Sequence, residues 1–549
     1  MYFPVHVSDR MRRFAETPGE INASYTYTPY VISRLRSRAS TVLVVAAWIG
    51  FGVPLFLWAV GQGTPLSIAF AAASALTWIA GGRAVALWLR SSPPALIPPP
   101  ATGRGAERIA LLVCICDDLD ERAVVRSSRQ DVPVDVVLLD DSRDAATVAR
   151  VDALAAAHGW HVIRRTERSG FKAGNLNAGL ARLRGRYDAY LICDSDVVLD
   201  AGVARVCGAA LADPTVAVAQ ASPAASVGRT RFARYFGPLL ATHLGVTRRG
   251  RGAHGVTAFL GRGALVRAEA VEDVGGFPEA VAEDLAMTVR LRRRGWRIVD
   301  ADVAFTEDYP IDYAAFRVQM RKTAEGAVEF LRRPGRMRGL RIREGLDLAL
   351  ETALVPVTAL AGAATLVTGA ALAGTGTPPP LWVMLVSAFA ASAPLLPEAV
   401  RRARAQRVAA GVAFALTAGL LYASTTFVVL GAVIRTALGR RATFWVTPKT
   451  TSQRGVGATA GLLRDELVLV PLLAVSAVLV SGSLVAVAGP IGPAALAAVF
   501  AVGMLRPRSR ADRTLAPIVS ARHLAAVPHR TLSTAPRPAL PTRSRTLAS

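Results

Sequence analysis

The sequence is short of acid. It holds 40 Asp and Glu against 64 Lys and Arg, a formal net charge of +24, and only 19% of its 549 residues are charged. So little charge beside 52% hydrophobic residues argues against a wholly water-soluble enzyme. Cysteine is scarce too, at four. Cys114 and Cys116 share an apolar run, and Cys193 and Cys207 follow, with no second pair at zinc-site spacing. That spacing argues against zinc, points to core packing and fits a reducing compartment. The segment 506–549 has scarcely any acid and no periodicity, which predicts a disordered basic tail lying against the inner leaflet of a membrane.

What is present is apolar sequence in two blocks. Thr41 to Val60 and Leu66 to Leu89 are each about as long as the roughly 20 residues that cross a bilayer, joined by Gly-Gln-Gly-Thr-Pro. The polar, arginine-bearing lead 1–40 argues against a cleaved signal peptide. Later runs are Leu346 to Ala373, Leu381 to Val400, Val408 to Ile434, Leu467 to Ala488 and Ile491 to Leu505. The basic surplus invites a nucleic-acid reading, yet the arginines gather beside these runs, as the positive-inside bias predicts for cytoplasmic flanks. The expected partner is therefore the bilayer and not nucleic acid.

If every late run crossed, the arginine clusters at Arg401 to Arg407 and Arg435 to Arg441 would face opposite sides. Treating 408–434 as an interfacial or re-entrant segment puts both inside and leaves six spans, with outside loops that lack Lys and Arg. The expected organisation is a cytoplasmic segment 1–40, two transmembrane helices in 41–89, a soluble domain 90–343, a membrane region 344–505 and the tail 506–549.

Within the soluble block, Ile109 to Cys116, Asp135 to Leu139, Tyr190 to Cys193 and Val216 to Gln220 are short continuous apolar runs separated by helical stretches. Runs of that kind suit strands covered on both faces of a parallel sheet, and hence an α/β nucleotide-binding architecture. Ligands of such sheets bind beyond the carboxyl ends of the strands.

Two of those ends are acidic. Asp140-Asp141-Ser142 closes one strand and Asp194-Ser195-Asp196 another. Alternate side chains after a strand point the same way, which suits a hard divalent cation held together with phosphate oxygens. An acidic turn or helix cap is the plain alternative. Between them, Lys172 follows Gly170 at the start of a helical stretch, either offering donors and an ammonium to a diphosphate or simply standing in solvent. Glu283 and Asp284 open another helical segment, as a general base held in a cleft or as an acidic first turn favoured by the helix dipole.

In their order these motifs resemble family-2 processive glycosyltransferases, the group of cellulose and hyaluronan synthases. The resemblance runs over about residues 41 to 505 and rests on Asp140-Asp141, Lys172-Ala-Gly-Asn175, Asp194-x-Asp196, Ala282-Glu283-Asp284 with Arg290-Leu291 and Gly295-Trp296, Gln319-Met-Arg-Lys322-Thr323, and Phe444-Trp-Val-Thr-Pro-Lys449. It implies a GT-A fold, Rossmann-like with a mostly parallel sheet, on the cytoplasmic face of the plasma membrane beside an α-helical transmembrane bundle. It implies a loop over 439–456 that closes on the bound donor, with Phe444, Thr447 and Lys449 among its contacts. It further implies Mg2+ or Mn2+ on Asp194 and Asp196, a UDP-sugar donor met by Asp117, Asp140, Asp141, Lys172, Asp194, Gln319 and Lys322, and Asp284 as the base beside Glu283. The stretch His254 to Gly263 resembles the acceptor-lining segment of the same family, which places Phe259, Leu260 and Gly261 at a glycan or lipid acceptor.

Three positions depart from that pattern. Ala282 stands for Thr, Lys322 for an Arg with bidentate geometry, and Thr323 for a Trp that stacks on the acceptor sugar. Tyr309, Tyr313 and Phe316 are the nearby aromatics that could take its place. The expected activity is inverting, metal-dependent sugar transfer building and translocating a β-linked polysaccharide, with or without a secretion partner. The competing readings are a non-processive transferase acting on a lipid or protein, and a nucleotide-regulated transporter.

Overall fold

A computed structural model describes residues 38–91, 106–225, 230–252, 255–280 and 282–440 of the chain. The expected spans at 467–488 and 491–505, nearly all of the loop 439–456, most of the lead 1–40 and the tail 506–549 lie outside the described residues, and so do Phe444, Thr447 and Lys449.

Eight strands form one sheet: β1 (Ile109–Ile115), β2 (Asp135–Asp140), β3 (His161–Ile163), β4 (Ala189–Asp194), β5 (Val198–Leu199), β6 (Val216–Ala225), β7 (Ala264–Arg267) and β8 (Arg297–Glu307), in the order β3-β2-β1-β4-β7-β6-β8-β5. The four strands anticipated from continuous apolar runs are β1, β2, β4 and β6. All seven residues of β1 are buried, because helices cover both faces of it. The pairs β1–β2, β1–β4, β2–β3 and β6–β8 are parallel, while β7 runs antiparallel between β4 and β6 and β5 runs antiparallel to β8. The sheet is therefore a mostly parallel, GT-A-like one with an inserted reversed strand.

That order has a reversal at β1: the chain passes outward to β2 and β3, then returns to lay β4 on the other side. Register places Ile115 opposite Asp140 and Cys114 opposite Asp194. The carboxyl ends of three strands thus stand at one level, at the crevice where open α/β sheets bind ligands. Helices are started locally. Asp120 caps Glu121–Ser127 through the N–H groups of Arg122 and Ala123, at 3.1 and 3.2 Å, and Asp144 caps Ala145–His158 through Thr147 N–H at 3.0 Å.

Among the described residues, five helical stretches around this domain are long and apolar enough to cross a membrane: Val44–Gly61, Pro65–Arg90, Ile342–Gly374, Leu381–Ala405 and Val408–Ala437. The protein is a membrane protein. Thr64 and Ser67 cap the second of these reciprocally, at 3.1 and 3.2 Å, so the expected Gly-Gln-Gly-Thr-Pro turn ends in a built helix start. The fifth is two helices, Val408–Ala423 and Thr426–Ala437, separated at Ser424 and Thr425. The hydroxyl of Tyr313, on the helix Tyr313–Leu331, donates to Ser424 Oγ at that break, at 2.7 Å.

Candidate active site

The rim begins with ion pairs. Asp140 is fully buried, with Oδ2 accepting from Arg164 Nε at 2.7 Å and Oδ1 from Ser142 N–H at 3.0 Å. Asp141 is gripped by Arg165 through Nε at 2.9 Å and Nη2 at 2.6 Å. Arg165 Nη2 also donates to the carbonyl of Phe171 at 3.0 Å. The acidic pair therefore holds the arginines after β3, and one of those arginines holds the start of the lysine-bearing helix. Asp117 does similar work: in a left-handed conformation, φ 58°, it accepts from the N–H groups of Arg143 and Asp144 at 2.8 and 2.9 Å. These three of the expected nucleotide contacts lie at the crevice, and each is also a bracket for the loop beside it.

Deeper in the crevice the charged side chains converge. Helix Phe171–Leu183 starts at Gly170 with φ 71°, where a Cβ would stand 2.5 Å from Glu279. Its first turn carries Lys172, whose Nζ donates to Asp194 Oδ1 at 2.5 Å and to the carbonyl of Gly261 at 2.9 Å. Burial penalises the ammonium, but Asp194, the Cys114 thiol and Glu283 outweigh it, and the Lys172 pKa rises. Gly261, φ +76°, sits among the key groups: a Cβ there would lie 3.5 Å from Asp284 Cβ, 3.6 Å from Glu283 Oε1 and 3.8 Å from Lys172 Nζ. A side chain would fill the space between Asp284 and Lys172.

Helix Glu283–Arg293 begins at Ala282, which gives no side-chain cap; a threonine there would have offered one. Burial first, and the charge of Asp284 next, push the Glu283 carboxyl up to about 7. Lys322 also faces this group; burial lowers its pKa against the upward pull of Glu283 and Asp194. Cys114, beneath Lys172, is pushed up to about 12, mainly by burial, and is an inert thiol.

Three further residues at the crevice are not singled out by local sequence. Arg262 Nε donates to Glu307 Oε2 at 2.6 Å, and both feel Asp194 and Asp196. Glu307 is raised by burial first, with Asp196 and Asp194 adding to the shift against the pull of Arg262. Gln220, wholly buried in β6, accepts from Leu260 N–H at 3.0 Å and donates to the carbonyls of Arg262 and Gly263 at 2.8 and 2.9 Å. It shapes the 260–263 turn. A lone glutamine in an apolar strand was the only signal available for it.

The acceptor-side residues separate. Gly261 is in the crevice, Leu260 is partly buried against the core, and Phe259 is buried with its ring 6.0 Å from that of Phe277. Phe259 N–H donates to the buried Thr288 Oγ1 at 2.9 Å, which ties this segment to the helix that carries Glu283 and Asp284. Gln319 is partly exposed, and Thr323 is exposed with its hydroxyl returned to the carbonyl of Gln319 at 3.0 Å. Tyr309, Tyr313 and Phe316 are buried in the cluster that includes Phe232 and Phe414, which corrects the expectation that one of them offers a face to the acceptor.

Among the described residues no group of three or more His, Cys, Asp or Glu is disposed to cage a metal. Asp194 and Asp196 are two partly exposed carboxylates at one strand end. Two hard oxygen donors do not hold a structural ion alone, but they fit a cation that completes its shell with phosphate oxygens and water, as Mg2+ does.

Residues 190–445 match the family model described as Glycosyl transferase family group 2. The chain is 32% identical over 192 residues to a putative cellulose synthase 2 of Komagataeibacter xylinus, covering 32% of this chain and 12% of that protein. It is 30% identical over 152 residues to a glucans biosynthesis glucosyltransferase H of Xylella fastidiosa, 24% of this chain and 23% of the relative. With the UDP-forming cellulose synthase 1 catalytic subunit of K. xylinus it shares 26% identity over 230 residues, 40% of this chain and 30% of the relative. The chain thus spans less than a third of the length of these relatives. Among solved structures, the mannosyltransferase PcManGT from Pyrobaculum calidifontis in complex with GDP-Man and Mn2+ superposes with a TM-score of 0.45 and 22% identity, over 66% of this chain and 98% of that one.

Proposed function

We propose, from the premise that this chain is a glycosyltransferase carrying a family group 2 domain, that it moves the sugar of a UDP-sugar to an acceptor hydroxyl with inversion. The convergence of Lys172, Glu283 and Asp284 on Gly261, with Asp194 on Lys172, carries this reading. Asp194 and Asp196 would hold Mg2+ or Mn2+, which supplies positive charge to the nucleotide diphosphate as it leaves. Lys172 and Lys322, which both lie in the fields of Asp194 and Glu283, would receive that diphosphate, with Gln319 three residues before Lys322 on the same helix.

Asp284 takes the proton of the attacking hydroxyl. Burial and the charge of Asp284 push its neighbour Glu283 up to about 7, so the site disfavours the charged form of Glu283. The domain lies on the cytoplasmic side of the plasma membrane, where the donor is made, and the product is a β-linked polysaccharide like those of the relatives named for cellulose. A second reading, single-sugar transfer to a lipid or protein, is favoured by exposed Thr323 and by the burial of Tyr309, Tyr313 and Phe316. Product length from washed membranes given labelled UDP-sugars separates the two.

Asp284→Asn tests the base. Turnover should fall about 10² to 10⁴-fold, the usual worth of a positioned general base, with UDP affinity nearly unchanged. Asp196→Ala should instead remove the metal-dependent part of UDP binding, read by calorimetry with and without Mn2+. An Asp284→Asn enzyme that turns over at the parent rate ends the base assignment.

A further inference from the structure

The segment that brings Gly261 into the crevice is tied at its start to the membrane helices. It leaves the helix Arg231–Gly252 and enters β7 at Ala264. Its Val256 N–H donates to Asp347 Oδ2 at 3.0 Å. Asp347 belongs to the long apolar helix Ile342–Gly374, and the same oxygen accepts from Arg251 Nε at 2.9 Å. The other oxygen, Oδ1, accepts from Arg83 Nη2 at 3.2 Å, on the apolar helix Pro65–Arg90. Arg83 Nη2 also donates to Glu351 Oε2 at 2.7 Å, one turn further along. One carboxylate thus joins two membrane helices, the end of a third helix and the active-site segment.

The tie is tight and largely dry. The side chains of Arg251, Arg83 and Asp347 are 7%, 17% and 18% exposed, so these charges lean on each other more than on water. A Cβ on Gly255 would lie 2.3 Å from Asp347 Oδ2, which leaves no room for any side chain there while the carboxylate keeps its place. From Val256 the segment runs through successive anchors. Arg248 Nη1 donates to the carbonyl of Ala258, Phe259 N–H to Thr288 Oγ1 at 2.9 Å, and Lys172 to the carbonyl of Gly261 at 2.9 Å. Thr288 Oγ1 in turn donates to the carbonyl of Asp284 at 2.8 Å.

We infer that Asp347 is a positioning residue: it sets the approach of the 255–261 segment, and through it the place of Gly261 and Asp284, from the packing of helices 65–90 and 342–374. It touches no reacting atom. A shift of either helix is passed to the crevice as a shift of Val256, and a correctly packed membrane region becomes a condition for fast chemistry. The inference rests on the active-site reading above.

The test uses full-length protein in nanodiscs, with Asp347→Asn and, because loss of a buried charge can unfold the chain, Gly255→Ala, which keeps every charged group and displaces only the carboxylate. Each should lower kcat about tenfold or more, the scale expected when a reacting geometry is misplaced from a distance, while donor KM stays within about twofold. Amide hydrogen exchange should quicken in 255–263 and stay at parent values in β1 and β2. Parent kcat with parent exchange in both variants overturns the inference, and so does faster exchange spread evenly over the domain. Should the parent protein turn over no sugar donor, the reading of the active site fails, and local exchange in 255–263 still decides the tie.

Discussion

At the scale of single residues, the first of two adjacent carboxylates in a helix's first turn is pushed away from its charged form. The helix dipole and Lys172 favour the charged form of Glu283, yet burial and the charge of Asp284 outweigh them, and the group is pushed up to about 7. A carboxyl raised above its usual value is held neutral by the fold. The stability it contributes is full below about 4.5, the ordinary value, and is lost as pH climbs through about 7. Glu283→Gln removes that loss. In metal-free buffer, the melting midpoint of the variant relative to the parent should therefore rise between pH 5 and pH 8, on the order of the titration window itself. A gap that stays flat over the same range would mean that Glu283 is already ionised in the folded protein above pH 5 and would move the base assignment toward it.

At the scale of elements, the turn 260–263 is the least legible and most consequential piece. Gln220 presents one acceptor and two donors to it from inside β6, where leaving a buried polar group unpaired is costly. Gln220→Leu keeps the volume but strands the Leu260 N–H and the Arg262 carbonyl. Thermal unfolding in detergent should show a loss of about 1 to 3 kcal/mol for each group left without a partner. A stability equal to that of the parent would mean that water replaces the glutamine. The strands that were legible, β1, β2, β4 and β6, are those buried on both faces, where sequence is forced to be continuously apolar. β8 was not, since its eleven residues mix buried with half-exposed positions, and β3, β5 and β7 span four residues or fewer. The site follows the same logic. Lys172, Asp194, Glu283 and Asp284 stand out by local spacing, whereas Arg164, Arg165, Arg262 and Glu307 gain meaning only from partners far along the chain. Asp140 and Asp141 were legible as acidic, but not as the carboxylates that hold two arginines.

At the scale of the molecule, the question is how the stretch 408–437 meets the bilayer. By length and composition it is one of the five that could cross. Yet it breaks at Ser424 and Thr425 into helices of 16 and 12 residues, and at 1.5 Å per residue these reach only about 24 and 18 Å, short of the roughly 30 Å hydrocarbon core. The break is capped by Tyr313, from a helix that follows the catalytic sheet, which suits a segment turned back toward the domain. Arginine placement argues the same way, since the positive-inside bias favours keeping Arg401 to Arg407 and Arg435 to Arg441 on one side. Arg404→Cys and Arg440→Cys, each exposed, can be made in a Cys116→Ser background, because Cys114, Cys193 and Cys207 are buried. A membrane-impermeant maleimide should label both positions in inverted vesicles and neither in intact cells. Labelling of the two from opposite sides would make 408–437 a crossing and would count against the expectation that the loop 439–456 closes on a donor at the catalytic sheet.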